Sequence, residues 1–120
     1  MATINLVRET NSAGGFGLAV RWTPLANGDD GQPIDLQDFP DVSVQVFGTF
    51  GVGGNLRIQG SNEQAPTNWA TLNDPQANAL DFTAAKIEQV LENVRWIRPA
   101  VTAGDGTTAL TVCIWAGRRR

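Results

Sequence analysis

Residues 42–72 read VSVQVFGTFGVGGNLRIQGSNEQAPTNWATL, and their apolar side chains fall as they would in two strands separated by a glycine-rich turn. Val42, Val44 and Val46 alternate with Ser43, Gln45 and Phe47, the period of two that a half-buried strand requires. Gly48, Gly51, Gly53 and Gly54 follow; glycine adopts positive φ without strain, so the chain can reverse there. Leu56 and Ile58 then alternate with Asn55, Arg57 and Gln59 before Gly60, Ser61 and Asn62 close the second strand. After a polar loop, Trp69 and Leu72 bring the chain back to apolar surface. The expectation is a central hairpin that serves as scaffold, because no residue in the stretch is an evident catalyst.

Composition extends this reading to the whole chain. Its 120 residues make one domain with one core. Charged residues are 18%, below the roughly 25% usual in soluble domains. With 13 glycines and 6 prolines, turn formers exceed their ordinary share of about 12%, and together with the Val, Ile, Thr and Trp content they favour many short strands over helices. The formal charge of -3 predicts no general attraction to nucleic acid. There is no histidine, which excludes His-based triads, His metal sites and the usual pH switch and argues against an enzyme. The single cysteine, Cys113, has no internal partner for a disulfide and reads as a small hydrophobe in a strand. No apolar run approaches the ~18 residues of a membrane span, and the N-terminus lacks the basic region and apolar core of a signal peptide. Synthesis and folding in a cytoplasm are expected.

In chain order, residues 1–19 are weakly patterned and are expected to form a flexible arm, with Phe16 and Leu18 as anchors on a neighbouring subunit. A β-sandwich domain is expected over residues 20–117, and Arg118, Arg119 and Arg120 form a basic tail that is either solvated or an electrostatic tether. Asn27, Gly28, Asp29, Asp30 and Gly31 read as a turn, since they lack the alternating carboxylates and distal Glu of a helix-loop-helix calcium site. Residues 33–40, PIDLQDFP, are an extended connector. Residues 79–83 read as a strand, and residues 84–91 as one helical turn, with Ile87, Val90 and Leu91 on one face, or as an irregular loop. Residues 93–101 form the next strand, in which Arg98 reads as a buried arginine tying down a turn. Residues 102–106 are a hairpin-type turn. The last strand, 107–115, sets Leu110, Val112 and Ile114 against Ala109, Thr111, Cys113 and Trp115.

No chemistry of a known kind is written in these residues. The carboxylates are scattered through turns, and there is no phosphate loop, nucleophile elbow or cysteine cluster. Neither cofactor nor metal is expected, nor is a nucleic-acid or membrane partner. Two resemblances add to this. Gly60, Ser61 and Asn62, then Trp69, followed by Arg95, Trp96, Ile97 and Arg98, resemble the signature of discoidin-like jelly rolls, with Glu63 and Gln64 in place of Asp-Gly and Trp96 in place of Tyr. In that family these residues are mainly scaffold, so the resemblance implies a jelly-roll sandwich more than sugar binding.

The closer resemblance is to small structural proteins of tailed bacteriophages, encoded among head genes, of the head decoration or stabilisation kind. It is carried by residues 22–31 (WTPLANGDDG), 43–51 (SVQVFGTFG), Gly60-Ser61-Asn62, 69–75 (WATLNDP), Ile97-Arg98-Pro99 and 104–108 (GDGTT), in that order along roughly residues 20–115. It implies a non-enzymatic virion component, with capsid decoration as the preferred role: the chain would sit on the capsid exterior, bind the major capsid protein and associate as a homo-oligomer, a dimer or trimer. A neck or tail component is the alternative, followed by a carbohydrate-binding module on the virion surface. The candidate partner contacts are Phe16, Leu18, Trp22, Val52, Arg118, Arg119 and Arg120. The plain reading of each is core or solvated loop.

Overall fold

A computed structural model describes residues 2–9, 17–36 and 39–117. These form twelve strands and no helix: β1 (Thr3–Ile4), β2 (Val7–Glu9), β3 (Gly17–Leu25), β4 (Asp30–Gly31), β5 (Ile34–Asp35), β6 (Asp41–Thr49), β7 (Asn55–Ser61), β8 (Ala70–Thr71), β9 (Asp81–Phe82), β10 (Lys86–Gln89), β11 (Trp96–Ala103) and β12 (Ala109–Gly117). One sheet runs β1-β4-β11-β7-β8, with β5 on β11 and β9 on β7. The other runs β10-β6-β12-β3-β2. Packed face to face they make a single-domain β-sandwich, in which the long strands β3, β6 and β12 belong to the five-stranded sheet and β7 and β11 to the seven-stranded one.

The alternation read from the sequence is the alternation of burial. Val42, Val44 and Val46 of β6, Leu110, Val112 and Ile114 of β12, and Val20 and Trp22 of β3 form the inner face of the five-stranded sheet. Leu56 and Ile58 of β7 with Ile97 and Val101 of β11 face them from the other sheet. Trp22 sits at the centre, fully buried, and its indole N–H donates to the Gln32 carbonyl at 3.0 Å. That bond lets the largest side chain of the core be buried with no polar atom unpaired.

Several expectations are corrected. The strands flanking the glycine-rich turn do not pair: β6 lies in one sheet and β7 in the other, so residues 50–54 form a corner between sheets. Residues 104–108 make the same crossing between β11 and β12. Period-two patterning reports which face of a strand is buried and carries nothing about its neighbour. The expected helical turn over residues 84–91 is strand β10, paired antiparallel with β6 through Ile87↔Gln45 and Glu88↔Val44. An i, i+3, i+4 pattern this short is too weak to hold a helix against a free sheet edge.

The flexible arm expected over residues 1–19 is also corrected where it is described. β1 pairs in parallel with β4, β2 pairs with β3, and β3 runs across the expected boundary at residue 19. The Asp30 and Gln32 N–H groups donate to the Ala2 and Ile4 carbonyls at 3.0 and 2.8 Å, and Ile4 and Leu6 pack on the core. Backbone bonds and apolar contacts together hold a segment whose side chains alone are poorly patterned. Residues 10–16 lie outside the described residues.

Candidate functional site

Two sheet-crossing corners meet at one end of the sandwich, and a single carboxylate joins them. Asp105 accepts from the Val52 N–H at 2.8 Å with one oxygen, and from the Thr107 N–H and hydroxyl at 2.9 and 2.6 Å with the other. The Thr108 hydroxyl donates back across the corner to the Phe50 carbonyl at 2.8 Å. Gly51 takes a φ of 76° and turns its Cα toward the Asp105 carboxylate, where a Cβ has no room. These donors hold the Asp105 carboxyl at about 2, below an ordinary 3.8, the Thr107 hydroxyl first and the Val52 N–H next. The result is a braced tip from which Val52 projects with 82% of its surface exposed.

A second organised region lies on the outward face of the seven-stranded sheet. Glu63 folds the loop after β7 around itself, accepting from the Asn68 and Thr67 N–H groups at 2.6 and 2.8 Å and from the Asn68 amide at 3.1 Å. Those bonds, the Asn68 N–H foremost, hold its carboxyl at about 2, against an ordinary 4.5. The Glu63 carbonyl receives the Trp96 indole N–H at 2.9 Å, and Asn62 receives the Arg95 N–H at 2.9 Å. Arg98 donates to Gln59 at 3.0 Å, pairs with Asp30 at 3.2 Å and lies 4.3 Å over the Trp69 ring. The expected role of Arg98, tying down a turn, becomes a bridge between strands. Burial lowers its pKa and Asp30 partly offsets this.

Beside the loop runs an open groove of about 610 Å³, lined in part by Asn62, Asn68, Thr71 and Glu92. Burial raises the Glu92 carboxyl, but the Asn73 backbone and amide N–H groups outweigh it and the net pKa is lowered. Asp105, Glu63 and Glu92 each organise a turn or loop. Asp29 belongs to the same class: it accepts the Ala2 and Ala26 N–H groups at 3.0 and 2.9 Å. Among the described residues no group of three or more His, Cys, Asp or Glu side chains gathers for a metal, and no helix is long and apolar enough to cross a membrane.

The contacts expected from sequence do not converge. Trp22 is fully buried and belongs to the core, a correction that follows from its inward parity on β3. Leu18 is half-buried against the core near Ala116. Among the described candidates, Val52 alone stands out into solvent. The ends of β12 separate the Leu18 and Val52 regions by about 27 Å. Phe16, Arg118, Arg119 and Arg120 lie outside the described residues. Sequence reading overlooked Asp105 as the brace and Glu63 as the loop organiser. Their signal was present in Asp-Gly-Thr-Thr and in Ser-Asn-Glu, short polar clusters of the kind that hydrogen-bond their own backbone.

No protein-family model and no curated protein sequence matches the chain. Among solved structures, it is similar to the SPBc2 prophage-derived protein YomS, at a TM-score of 0.63 and 10% identity, over 88% of this chain and 98% of that one. At that identity the likeness is one of fold.

Proposed function

We propose that this chain is a non-enzymatic structural protein of a bacteriophage virion, and that it decorates the outside of the head lattice by binding the major capsid protein. The observation that carries the reading is the braced tip: an exposed valine on a corner that cannot easily move. A rigid apolar protrusion enters a recess on a partner at little conformational cost. Burying Val52 contributes about 1.5–2 kcal/mol per copy, which is too little for one contact and sufficient when an array of copies meets a repeating lattice. The fold shared with a prophage-derived protein supports a phage setting, as does the order of phage-like motifs along residues 20–115.

Carbohydrate binding gains less support. Trp22 is buried, the Trp69 ring is covered by Arg98, and the Trp96 N–H is already bonded, so these tryptophans are engaged within the protein. The deciding experiment is cosedimentation of the purified chain with phage capsid shells, followed by cryo-electron microscopy. Decoration predicts copies in fixed ratio to the major capsid protein on the outer surface, with occupancy lost in Val52→Asp. A ring at the portal vertex or along the tail would place the protein in the neck or tail instead.

A further inference from the structure

Among the described residues, the outward face of the five-stranded sheet collects most of the large exposed apolar side chains. Val7, Phe47, Ile87 and Trp115, exposed by 58, 37, 63 and 44%, all belong to it by register. Single exposed hydrophobics are ordinary; these four stand on one face around Gln45, Cys113 and Arg21, with Ile87 and Val7 on its two edge strands and Phe47 and Trp115 between. β12 is the middle strand of the five and Cys113 the middle of its nine residues, with Gln45 and Arg21 beside it in register. Between Ile87 and Trp115 lies a shallow depression of about 200 Å³ that Gln45 and Cys113 help to line.

We propose that this face docks a second copy of the chain, sheet against sheet, about a two-fold axis passing through β12 near Cys113. Charge favours self-pairing. The chain carries a net -3, so two copies repel except across a surface that is itself compensated. Here, among the described residues, the charges within the face are Arg21 and Glu9, paired at 3.5 Å, while Asp41 sits at one end of β6, bonded to the Gln89 amide. Area is adequate: three nine-residue strands and two short ones present about 550 Å² of sheet plane, or about 1,100 Å² for the pair, near the lower limit of a specific interface. Edge pairing through β10 is the competing geometry, and that edge is guarded. Lys86 and Glu88 form an ion pair at 2.7 Å on the edge strand β10, the kind of charge placement that discourages strand addition. A two-fold uses one patch twice, and stacked sheets some 10 Å apart interdigitate such side chains.

This inference concerns the purified chain in solution and does not depend on the decoration reading. Sedimentation velocity over about 1–100 µM should show a dimer. The Ile87→Lys variant, altered at an exposed edge position and checked for an unchanged circular dichroism spectrum, should sediment as a monomer. Maleimide labelling of Cys113 should be at least about tenfold slower in the native dimer than in that variant. A native chain that stays monomeric at the highest concentration overturns the proposal. So does a monomer whose Cys113 is still slow to react, since the chain's own residues would then cover the face. A trimer overturns it, as does a dimer that survives both Ile87→Lys and Trp115→Lys.

Discussion

Replacing Trp22 by phenylalanine separates its role in the core from the partner-contact role its sequence position suggested. The ring is fully buried, and its N–H donates to the Gln32 carbonyl at 3.0 Å. Phenylalanine keeps an aromatic ring in place but supplies no donor, leaving that carbonyl short of a partner at a cost of about 1–2 kcal/mol. The smaller ring also leaves about 40 Å³ unfilled, worth about 1 kcal/mol at ~24 cal/mol per Å³, with the lost transfer of the missing atoms in addition. The total is about 2–4 kcal/mol, a large part of the 5–15 kcal/mol a domain typically has. Urea unfolding followed by far-ultraviolet circular dichroism should show the midpoint falling in proportion while the slope stays constant. Thermal midpoints should fall by about 10–15 °C for a chain of this length. Capsid cosedimentation of the folded variant should be unchanged. A midpoint within about 0.5 kcal/mol of the native chain, combined with weakened cosedimentation, would refute the burial argument and return Trp22 to the surface.

Two further outcomes follow from the loops. Both Glu63 and Asp105 have folded pKa values of about 2, below their ordinary 4.5 and 3.8, so the unfolded chain takes up protons first. Their stabilisation is complete above those ordinary values and is lost as pH falls from there through about 2. Protection of the Thr67, Asn68, Val52 and Thr107 amides, measured by NMR exchange relative to the intrinsic rate at each pH, should therefore fall across that window, and an acid response confined to the strands would contradict it. The second outcome compares two glycines of the same corner. Gly51→Ala should destabilise more than Gly53→Ala, because both have positive φ but only Gly51 faces Asp105 and Thr108 at close quarters. The Gly53 change should cost about 1–2 kcal/mol from backbone strain alone, and equal thermal midpoints for the two variants would count against the brace.

Parity along the strands was the most legible part of the fold. Leu110, Val112 and Ile114 are buried while Thr111, Cys113 and Trp115 face outward, as their alternation required. Strand pairing was not legible, because Gly51 and Gly53 turn the chain equally well into a hairpin or across to the other sheet. Local sequence sets the turn, and only the packing of distant strands decides between those outcomes. Ile87 was hidden for a related reason: a four-residue edge strand beside a helix-like spacing takes its conformation from β6. The exposed tip was legible as a loop, and Val52 was named within it. What made it a candidate site, the carboxylate of Asp105 reaching from 53 residues away, lies in tertiary structure alone.

The position of β12 has a consequence for synthesis. It is the last of the described strands and the central strand of its sheet, bonded to β6 on one side and β3 on the other. Before β12 is available, β3 has only β2 beside it and β6 only β10, and the edges of β3 and β6 that β12 will fill are open. Pairings this distant form slowly, and exposed strand edges invite association with other chains in the meantime. The five-stranded sheet therefore closes only once β12 is free of the ribosome, and the place filled last is its middle.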